Sequence, residues 1–233
     1  SFDDMNKKTA QALARLFNVA GLDYAILGTE EGCDGDSARK MGNEYLYQSL
    51  AQANISVMNG YGVKKVICMD PHAYNLIRKD YKDLGGHYEV WHYFEILDDL
   101  LRSGRIQPRR KLDLGVVTFH DSCYLGRYNS IYEQPRNILK GIHVGRFVEM
   151  TDHHAKSFCC GAGGGRIWME EHLGSRINQA RTQQAIDTGA ALLVTGCPFC
   201  LTMLSDGIKE LEVSERLRAA DLAQLVAEAC ELT

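Results

Sequence analysis

The feature that most restricts the fold is an internal repeat, in which one motif with a fixed spacing occurs in both halves of the chain. In the first half, Cys33-Asp34-Gly35 is followed 35 positions after its glycine by Asp70-Pro71-His72-Ala73. In the second half, Cys159-Cys160-Gly161 is followed 36 positions after its glycine by Cys197-Pro198-Phe199-Cys200. The repeat predicts two copies of one structural unit, of which the second has kept its cysteines.

Hydrophobic patterning alternates between strand-like and helix-like segments within each half. The predicted strands are residues 24–27, 63–68, 114–119, 147–150 and 192–195. The predicted helices are residues 4–20, 38–59, 95–101, 130–140, 168–188 (through Met169, Leu173, Ile177 and Ala180) and 214–231. This alternation favours an α/β fold of two repeated Rossmann-like α/β subdomains with mostly parallel sheets, and it places the metal site at the carboxyl ends of the strands.

A polar segment separates the two copies. Residues 102–111 contain Gly and Pro and are typical of a linker, which predicts one subdomain over residues 1–107 and the other over residues 108–233. The first copy has no counterpart of Cys123 or of the strand at 114–119, because the equivalent positions fall before residue 1. We therefore expect the chain to be the C-terminal part of a longer protein.

Charge and apolar content exclude several kinds of partner. Lys and Arg number 26 against 30 Asp and Glu, and a net charge of −4 does not favour broad binding to nucleic acid or to anionic membranes. The longest apolar runs, such as residues 190–194, are far shorter than the ~20 residues of a membrane span. The first residues do not resemble a secretory signal. We expect a cytoplasmic location, no nucleic-acid partner and no direct membrane span.

Cysteine usage points to a metal or redox site. The chain has eight cysteines, and without a secretory signal such a number indicates metal or redox chemistry before disulfides. Five of them follow predicted strands and are expected to meet at one edge of the sheet: Cys123, Cys159, Cys160, Cys197 and Cys200. Soft thiolates select zinc or iron–sulfur clusters. A structural zinc and an ordinary cubane cluster each take four cysteines, so five exceed both needs.

Two other interpretations of these cysteines stay open. Four of the five are able to hold zinc in a structural or interaction module, although gaps of 35 and 36 residues are long for a compact zinc finger. Cys197 and Cys200 alone would suit a thiol–disulfide enzyme, which leaves the other three unexplained. A disulfide between the adjacent Cys159 and Cys160 is strained and is the weaker interpretation.

The second half resembles the cysteine-rich CCG domain, which occurs in tandem in the heterodisulfide reductases and in related iron–sulfur oxidoreductases. The matching stretches are His120-Asp121-Ser122-Cys123-Tyr124-Leu125-Gly126-Arg127-Tyr128-Asn129, Cys159-Cys160-Gly161-Ala162-Gly163-Gly164-Gly165-Arg166 and Thr195-Gly196-Cys197-Pro198-Phe199-Cys200. Gly42-Asn43-Glu44-Tyr45-Leu46 resembles the first repeat of the same proteins.

The resemblance implies that the five cysteines hold one 4Fe–4S cluster, of the cubane or the noncubane kind. In the noncubane form one cysteine bridges irons, which would account for a fifth thiolate. It also implies an oxidoreductase component that transfers electrons to or from a disulfide, quinone or flavin. The implied partners are other redox subunits (a flavoprotein, a ferredoxin-like or a membrane subunit), the last of which would make the protein peripheral to a membrane.

The first half departs from the family pattern. Asp34 stands in place of one cysteine of the pair, and Asp70 and Ala73 replace both members of the CxxC. A thiolate-held cluster is therefore not expected there, and we expect the first half to cover the cluster of the second half or to form a docking surface. A metal site made of Cys33, Asp70 and His72 is a weaker alternative.

Several residues around the cysteines are candidates for roles at the site. His120 is interpreted either as a strand-end histidine bonded to a backbone carbonyl or as a proton donor. Arg127 and Arg166 are candidates to balance cluster charge or to receive an anionic substrate. We expect the backbone of Gly161, Gly163 and Gly164 to approach the cluster and donate N–H groups to its sulfides. The same glycines are expected to open the helix at Trp168, where an anion or, as a weaker alternative, a mononucleotide would bind.

Overall fold

The computed structural model describes residues 4–169 and 174–232. The α-helices in this part of the chain are α1 (Asp4–Val19), α2 (Asp36–Lys40), α3 (Glu44–Gly60), α4 (Pro71–Lys79), α5 (Tyr93–Arg102), α6 (Gly126–Asn129), α7 (Glu133–Gly141), α8 (Ile177–Asp187), α9 (Pro198–Glu210) and α10 (Leu222–Ala229). The strands are β1 (Lys65–Cys68), β2 (Glu89–His92), β3 (Val116–Phe119), β4 (Arg146–Phe147), β5 (Leu192–Thr195) and β6 (Arg218–Asp221). Among the described residues no helix is both long and apolar enough to cross a bilayer.

The strand pairs of the described chain are all parallel, and the strands form two sheets. The first sheet pairs β1 with β2, and the second has the order β4-β3-β5-β6. Every residue of the central strand β5 is buried, as the apolar run Leu192-Leu193-Val194 predicts for a strand covered on both faces. The mixed α/β architecture with two parallel sheets confirms the predicted fold class.

The two halves contain the same succession of elements around their matched motifs. In the first half β1, α4, β2 and α5 follow one another, and in the second half β5, α9, β6 and α10 do so. Asp70 and Cys197 are the N-cap residues of α4 and α9, and a proline follows each at the first helical position. The motif positions aligned in the sequence therefore occupy the same place in the fold.

One apolar core extends through both halves. It contains fully buried side chains from α1, α5 and α10, among them Leu16, Phe94 and Leu222. Helix α1 packs against α10, and α5 packs against α7. A second, smaller core on the other side of the second sheet includes Cys160, Cys197 and Cys200.

The segment proposed as a linker lies against this shared core. Ile106 is buried, and the N–H of Arg109 donates to the carbonyl of Ala229 at 2.8 Å. The predicted division into residues 1–107 and 108–233 stays a prediction, because the two copies pack together over a common core.

Several predicted elements need correction. Residues 24–27 form no strand, and a 3-10 helix (Gly28–Glu30) follows them. The side chain of Ile26 in this segment is 80% exposed, so it is not part of the core as a buried strand would require. The helix predicted over residues 38–59 is α2 and α3. It is interrupted at Gly42, whose φ of +87° lies in the left-handed region, and Asn43 then caps α3 by accepting from the N–H of Leu46 at 3.1 Å.

The later predicted helices also differ from the structure. The helix predicted over residues 168–188 is α8, which begins at Ile177, and Trp168 instead ends a 3-10 helix (Gly163–Trp168). Gly164 and Gly165 inside that short helix have φ values of +68° and +79°, which an α-helix cannot accommodate. Leu173 lies outside the described residues. The helix predicted over residues 214–231 divides into β6 and α10, because Asp221 caps α10.

Candidate metal centre

The carboxyl ends of β3 and β5 bring the five cysteines of the second half together. Cys123 lies in the turn after β3, and Cys197 follows β5 and caps α9. Cys200 lies in the first turn of α9, one turn from Cys197. Cys159 and Cys160 lie in the loop before the glycine-rich 3-10 helix. The site therefore forms where parallel strands end, as the fold class predicts.

The five thiols form one continuous series of side-chain contacts. Cys159 hydrogen-bonds Cys123 on one side and Cys160 on the other. Cys160 in turn contacts Cys200, and Cys200 contacts Cys197. All five are free thiols; Cys160, Cys197 and Cys200 are buried, whereas Cys123 and Cys159 are half-buried. The sulfur atoms thus converge on one small region that opens toward solvent at the Cys123 end.

The pKa shifts of this series oppose the deprotonation of all five thiols at once. Hydrogen bonds from Cys123 and Cys160 lower the pKa of Cys159. The contact with Cys159 is the main reason that the pKa values of Cys123 and Cys160 are raised, and contacts with Cys160 and Cys197 raise the pKa of Cys200. Some of the thiols therefore retain their protons, and full deprotonation requires metal ions that neutralise the charge.

The donor set fits a thiophilic metal group. Five sulfurs in contact match zinc or iron–sulfur chemistry and do not match an oxygen-loving cation. Within the described part of the chain the buried hydroxyl of Ser122, next to Cys123, has no hydrogen-bond partner. A bound group that accepts hydrogen bonds would satisfy it. The N–H of Gly161 already points at the site and donates to Cys159 Sγ at 3.3 Å.

His120 lies at the buried side of the site. Its ligand atom and those of Cys160 and Cys200 lie within 4.8 Å of one another. Burial, reinforced by the cationic Arg181, lowers the pKa of His120 to about 3, so the ring is neutral. His120 Nδ1 accepts from Arg181 Nε at 3.0 Å, which leaves the hydrogen on Nε2. The partner of Nδ1 is thus a guanidinium and not the backbone carbonyl that one interpretation of the sequence expected.

Arg181 is a site residue that the sequence analysis missed. Its side chain is fully buried, and burial lowers its pKa to about 10. Besides His120 it donates to the Asp152 carbonyl at 2.8 Å and to Ser157 Oγ at 3.1 Å. The arginine therefore joins helix α8 to the loop that carries Cys159 and Cys160. A buried arginine on a helix of low amphipathicity gives no sequence signal that would separate it from a surface residue.

We expect Arg181→Met to lower the free energy of unfolding by about 2 kcal/mol. The substitution leaves buried acceptors without a donor, and the gain from no longer burying a charge offsets only part of this cost. Chemical denaturation under anaerobic conditions measures the change. Arg146→Met, at an exposed position of β4, is the matched control and should change stability by less than about 0.5 kcal/mol. Equal losses in the two variants would contradict a structural role for Arg181.

Two residues of the first half also reach the site. Asp70, His72 and Cys197 have ligand atoms within 4.8 Å of one another. Burial lowers the pKa of His72, but hydrogen bonds with Asp36 and Cys197 outweigh it and raise the pKa to about 11. Burial, with Cys197 beside it, raises the pKa of Asp70 to about 7. The thiol of Cys33 is exposed and lies 4.0 Å from Asp34 Oδ1, so Asp70 and His72 group with a cysteine of the second half and not with Cys33.

A cavity of about 620 Å³ opens over the half-buried end of the thiol series. Its wall is a stacked pair of tyrosines, Tyr124 and Tyr128, whose ring centroids are 4.7 Å apart. The residues that line it are Lys40, Cys123, Tyr124, Arg127, Tyr128, Gly163 and Gly164. The cavity is therefore lined by one cysteine of the candidate metal site, two cationic side chains and two glycines of the glycine-rich loop.

The glycines and arginines that were predicted to surround the cysteines do not all lie at the same place. Gly161, with a φ of +95°, presents its N–H to Cys159, whereas Gly163 and Gly164 line the cavity. Arg127 lines the cavity, and Arg166 is exposed on the 3-10 helix. Trp168 ends a 3-10 helix and begins no α-helix. The anion or mononucleotide site predicted at this glycine-rich loop stays a prediction.

Comparison with known proteins also relates this chain to cysteine-rich redox proteins. The family model of the "Cysteine-rich domain" called CCG matches residues 1–78 and 117–205. The chain is 47% identical to an EtfAB:quinone oxidoreductase of Syntrophomonas wolfei, over 99% of this chain and 33% of that protein. It is 46% identical to a probable iron-sulfur-binding oxidoreductase FadF of Bacillus subtilis, over 98% of this chain and 32% of that protein.

A more distant similarity links the chain to an archaeal enzyme. It is 33% identical to one of the polypeptides of a dihydromethanophenazine:CoB–CoM heterodisulfide reductase of Methanosarcina acetivorans, over 96% of this chain and 56% of that protein. The chain thus spans about a third of the length of the two bacterial relatives and about half of the archaeal one.

Proposed function

Since the chain belongs to the CCG cysteine-rich domain family of iron–sulfur oxidoreductases, we propose that it is an electron-transfer part of such an oxidoreductase and holds one 4Fe–4S cluster in its second half. The observation that carries this proposal is the uninterrupted contact series of Cys123, Cys159, Cys160, Cys200 and Cys197. When bound, the cluster supplies one-electron transfer.

The number of sulfurs favours the noncubane form. A zinc ion or a cubane cluster would use four of the five cysteines and leave one thiol in contact with its neighbours but without a metal. A noncubane cluster that takes five thiolates would be held by all five cysteines. Cys159 and Cys160, adjacent in sequence and in contact, are the pair that supplies the additional sulfur.

The surrounding residues hold the cysteines and control access to them. Cys160, Cys197 and Cys200 are buried in the smaller core, which excludes water from that side. The Gly161 N–H donates to Cys159 and stabilises its thiolate. One ring nitrogen of the neutral His120 lies within 4.8 Å of the sulfurs of Cys160 and Cys200, and Nδ1 accepts from Arg181, which leaves the only N–H on Nε2. We assign this N–H a hydrogen bond to the cluster and not delivery of a proton.

Electron exchange takes place through the cavity beside Cys123. This cysteine is the half-buried end of the series and lines the cavity, which brings a partner closer to the cluster there than at the buried cysteines. The cationic side chains of Lys40 and Arg127 favour an anionic group on that partner.

The partners are proposed from the names of the relatives. EtfAB and a quinone appear in the name of the Syntrophomonas wolfei protein, and a heterodisulfide appears in that of the archaeal protein. We propose that this chain exchanges electrons with another redox subunit, either a flavoprotein, a ferredoxin-like protein or a membrane subunit. Contact with a membrane would come through such a partner.

Metal analysis of the anaerobically purified chain tests the proposal. We expect about four irons and four acid-labile sulfides per chain and an EPR signal in one redox state. About one zinc and no sulfide would contradict it and would make the chain a structural module that kept the family fold. A metal-free protein with dithiol activity from Cys197 and Cys200 would contradict it in favour of a thiol–disulfide enzyme.

A further inference from the structure

The first half contributes a buried histidine to the site of the second half. His72 lies in the first turn of α4, directly after the proline of the degenerate motif. His72 is 7% exposed, and its ring is packed between Tyr124, at a centroid distance of 4.3 Å, and Phe199, at 5.0 Å. A ring nitrogen lies within 4.8 Å of the Cys197 sulfur, which is fully buried. His72 therefore brings a helix of the first copy next to Cys197, a proposed cluster ligand of the second copy.

A carboxylate fixes the orientation of this ring. His72 Nδ1 lies 3.0 Å from Asp36 Oδ2, and the side chains of both residues are about nine-tenths buried. Because His72 Nδ1 is paired with Asp36, Nε2 is the ring nitrogen that is left to interact with Cys197. A carboxylate only accepts hydrogen bonds, and a metal-bound thiolate carries no hydrogen. A ring placed between two such acceptors can interact with them only as a donor.

Both members of this pair belong to the first copy alone. In the aligned motifs, His72 corresponds to Phe199 and Asp36 corresponds to Ala162, neither of which can form a hydrogen bond with its side chain. The copy that lost its cysteines thus carries a histidine–aspartate pair where the intact copy is apolar. Asp70, which corresponds to Cys197, also turns toward the second half, with its Oδ1 3.9 Å from Cys197 Sγ.

We propose that His72, oriented by Asp36, donates a hydrogen bond to the Cys197 sulfur and raises the reduction potential of the cluster, so that the degenerate first copy tunes the cofactor of the second. The inference rests on the proposed cluster. A hydrogen bond to a ligand sulfur stabilises the reduced cluster, which carries one more negative charge than the oxidised one. Asp70 acts in the opposite direction and is left unchanged in the test.

An EPR-monitored redox titration of the anaerobically purified chain tests this role. We expect His72→Leu to shift the reduction equilibrium about tenfold toward the oxidised cluster, which is about 59 mV for a one-electron couple. His72→Gln keeps an N–H donor of similar reach and should recover part of the shift. His87→Leu, at an exposed histidine, is the matched control and should leave the potential unchanged.

The outcomes separate this inference from the proposed function. A chain without iron and sulfide would refute both. A His72→Leu protein with full iron and sulfide content and the potential of the unsubstituted chain would refute only the tuning role. Loss of the cluster from both His72 variants, with folding retained by circular dichroism, would also overturn it, because His72 would then be a ligand or a support of the ligand loop.

Discussion

Cys197→Ser is expected to remove the cluster, with iron and sulfide falling from about four to below about one per chain. Cys197 is the N-cap residue of α9, and its thiol is fully buried and contacts both Cys200 and His72, so it lies at the centre of the buried half of the site. A serine hydroxyl occupies the same position, but it is a hard donor that stays protonated at neutral pH and binds iron poorly. Visible absorption, metal analysis and EPR of the anaerobic protein measure the loss.

Two cysteines outside the series serve as matched controls for this substitution. Cys230 is buried in the large core, away from the thiol series, and Cys230→Ser should retain the full cluster. Cys33 is exposed, and Cys33→Ser should also retain it. Full iron content in Cys197→Ser would refute the five-cysteine ligand set. Loss of the cluster from Cys33→Ser would show that the first half supplies a ligand.

The sequence predicted those parts of the fold whose signals are local. An unbroken apolar run predicts β5 within its bounds. Helices α4 and α9 were not predicted, although a proline stands at the first helical position of each. The short strand β2 was missed because its alternating burial involves only four residues. Strand β6 was missed because Arg218-Ala219-Ala220-Asp221 shows no strand-like alternation and continues into a helix.

Spacing also predicted which cysteines would gather, because parallel strands deliver their following loops to one edge of a sheet. What spacing could not predict is which residues of the other half would meet them. Asp70 and Cys197, which meet across the two halves, are 127 positions apart. Such contacts depend on how the chain packs in three dimensions, and no local pattern contains that information.

The packing of the two halves is most constrained at Gly196, the residue between β5 and Cys197. A Cβ atom added there would lie 2.0 Å from Phe94 Cζ and within 2.7 Å of two other ring carbons. Phe94 lies in the first turn of α5 in the first half and is fully buried. Its ring is held by His92 and Tyr93, at centroid distances of 4.8 and 4.7 Å. The lack of a side chain at Gly196 is therefore what lets the first half close over the ligand loop.

Gly196→Ala is expected to lower the free energy of unfolding by about 3 kcal/mol. The overlap involves a rigid ring in a packed core, so either the ring or the β5–α9 turn must move, and small-to-large changes in such places cost about 1–3 kcal/mol or more. For a chain of this length that loss lowers the thermal midpoint by about 6–12 °C. Calorimetry or circular dichroism of the anaerobic protein measures the shift.

A matched Gly→Ala change separates this overlap from the general effect of the substitution. Gly60 ends α3, is exposed, and an added Cβ there meets nothing within 4 Å, so Gly60→Ala should be neutral or should stabilise the helix by about 0.5–1 kcal/mol. If Gly196→Ala is as stable as Gly60→Ala, the first half does not lie tightly against the ligand loop. A large loss at Gly196 alone, together with weaker retention of iron, would show that the contact between the halves supports the position of Cys197.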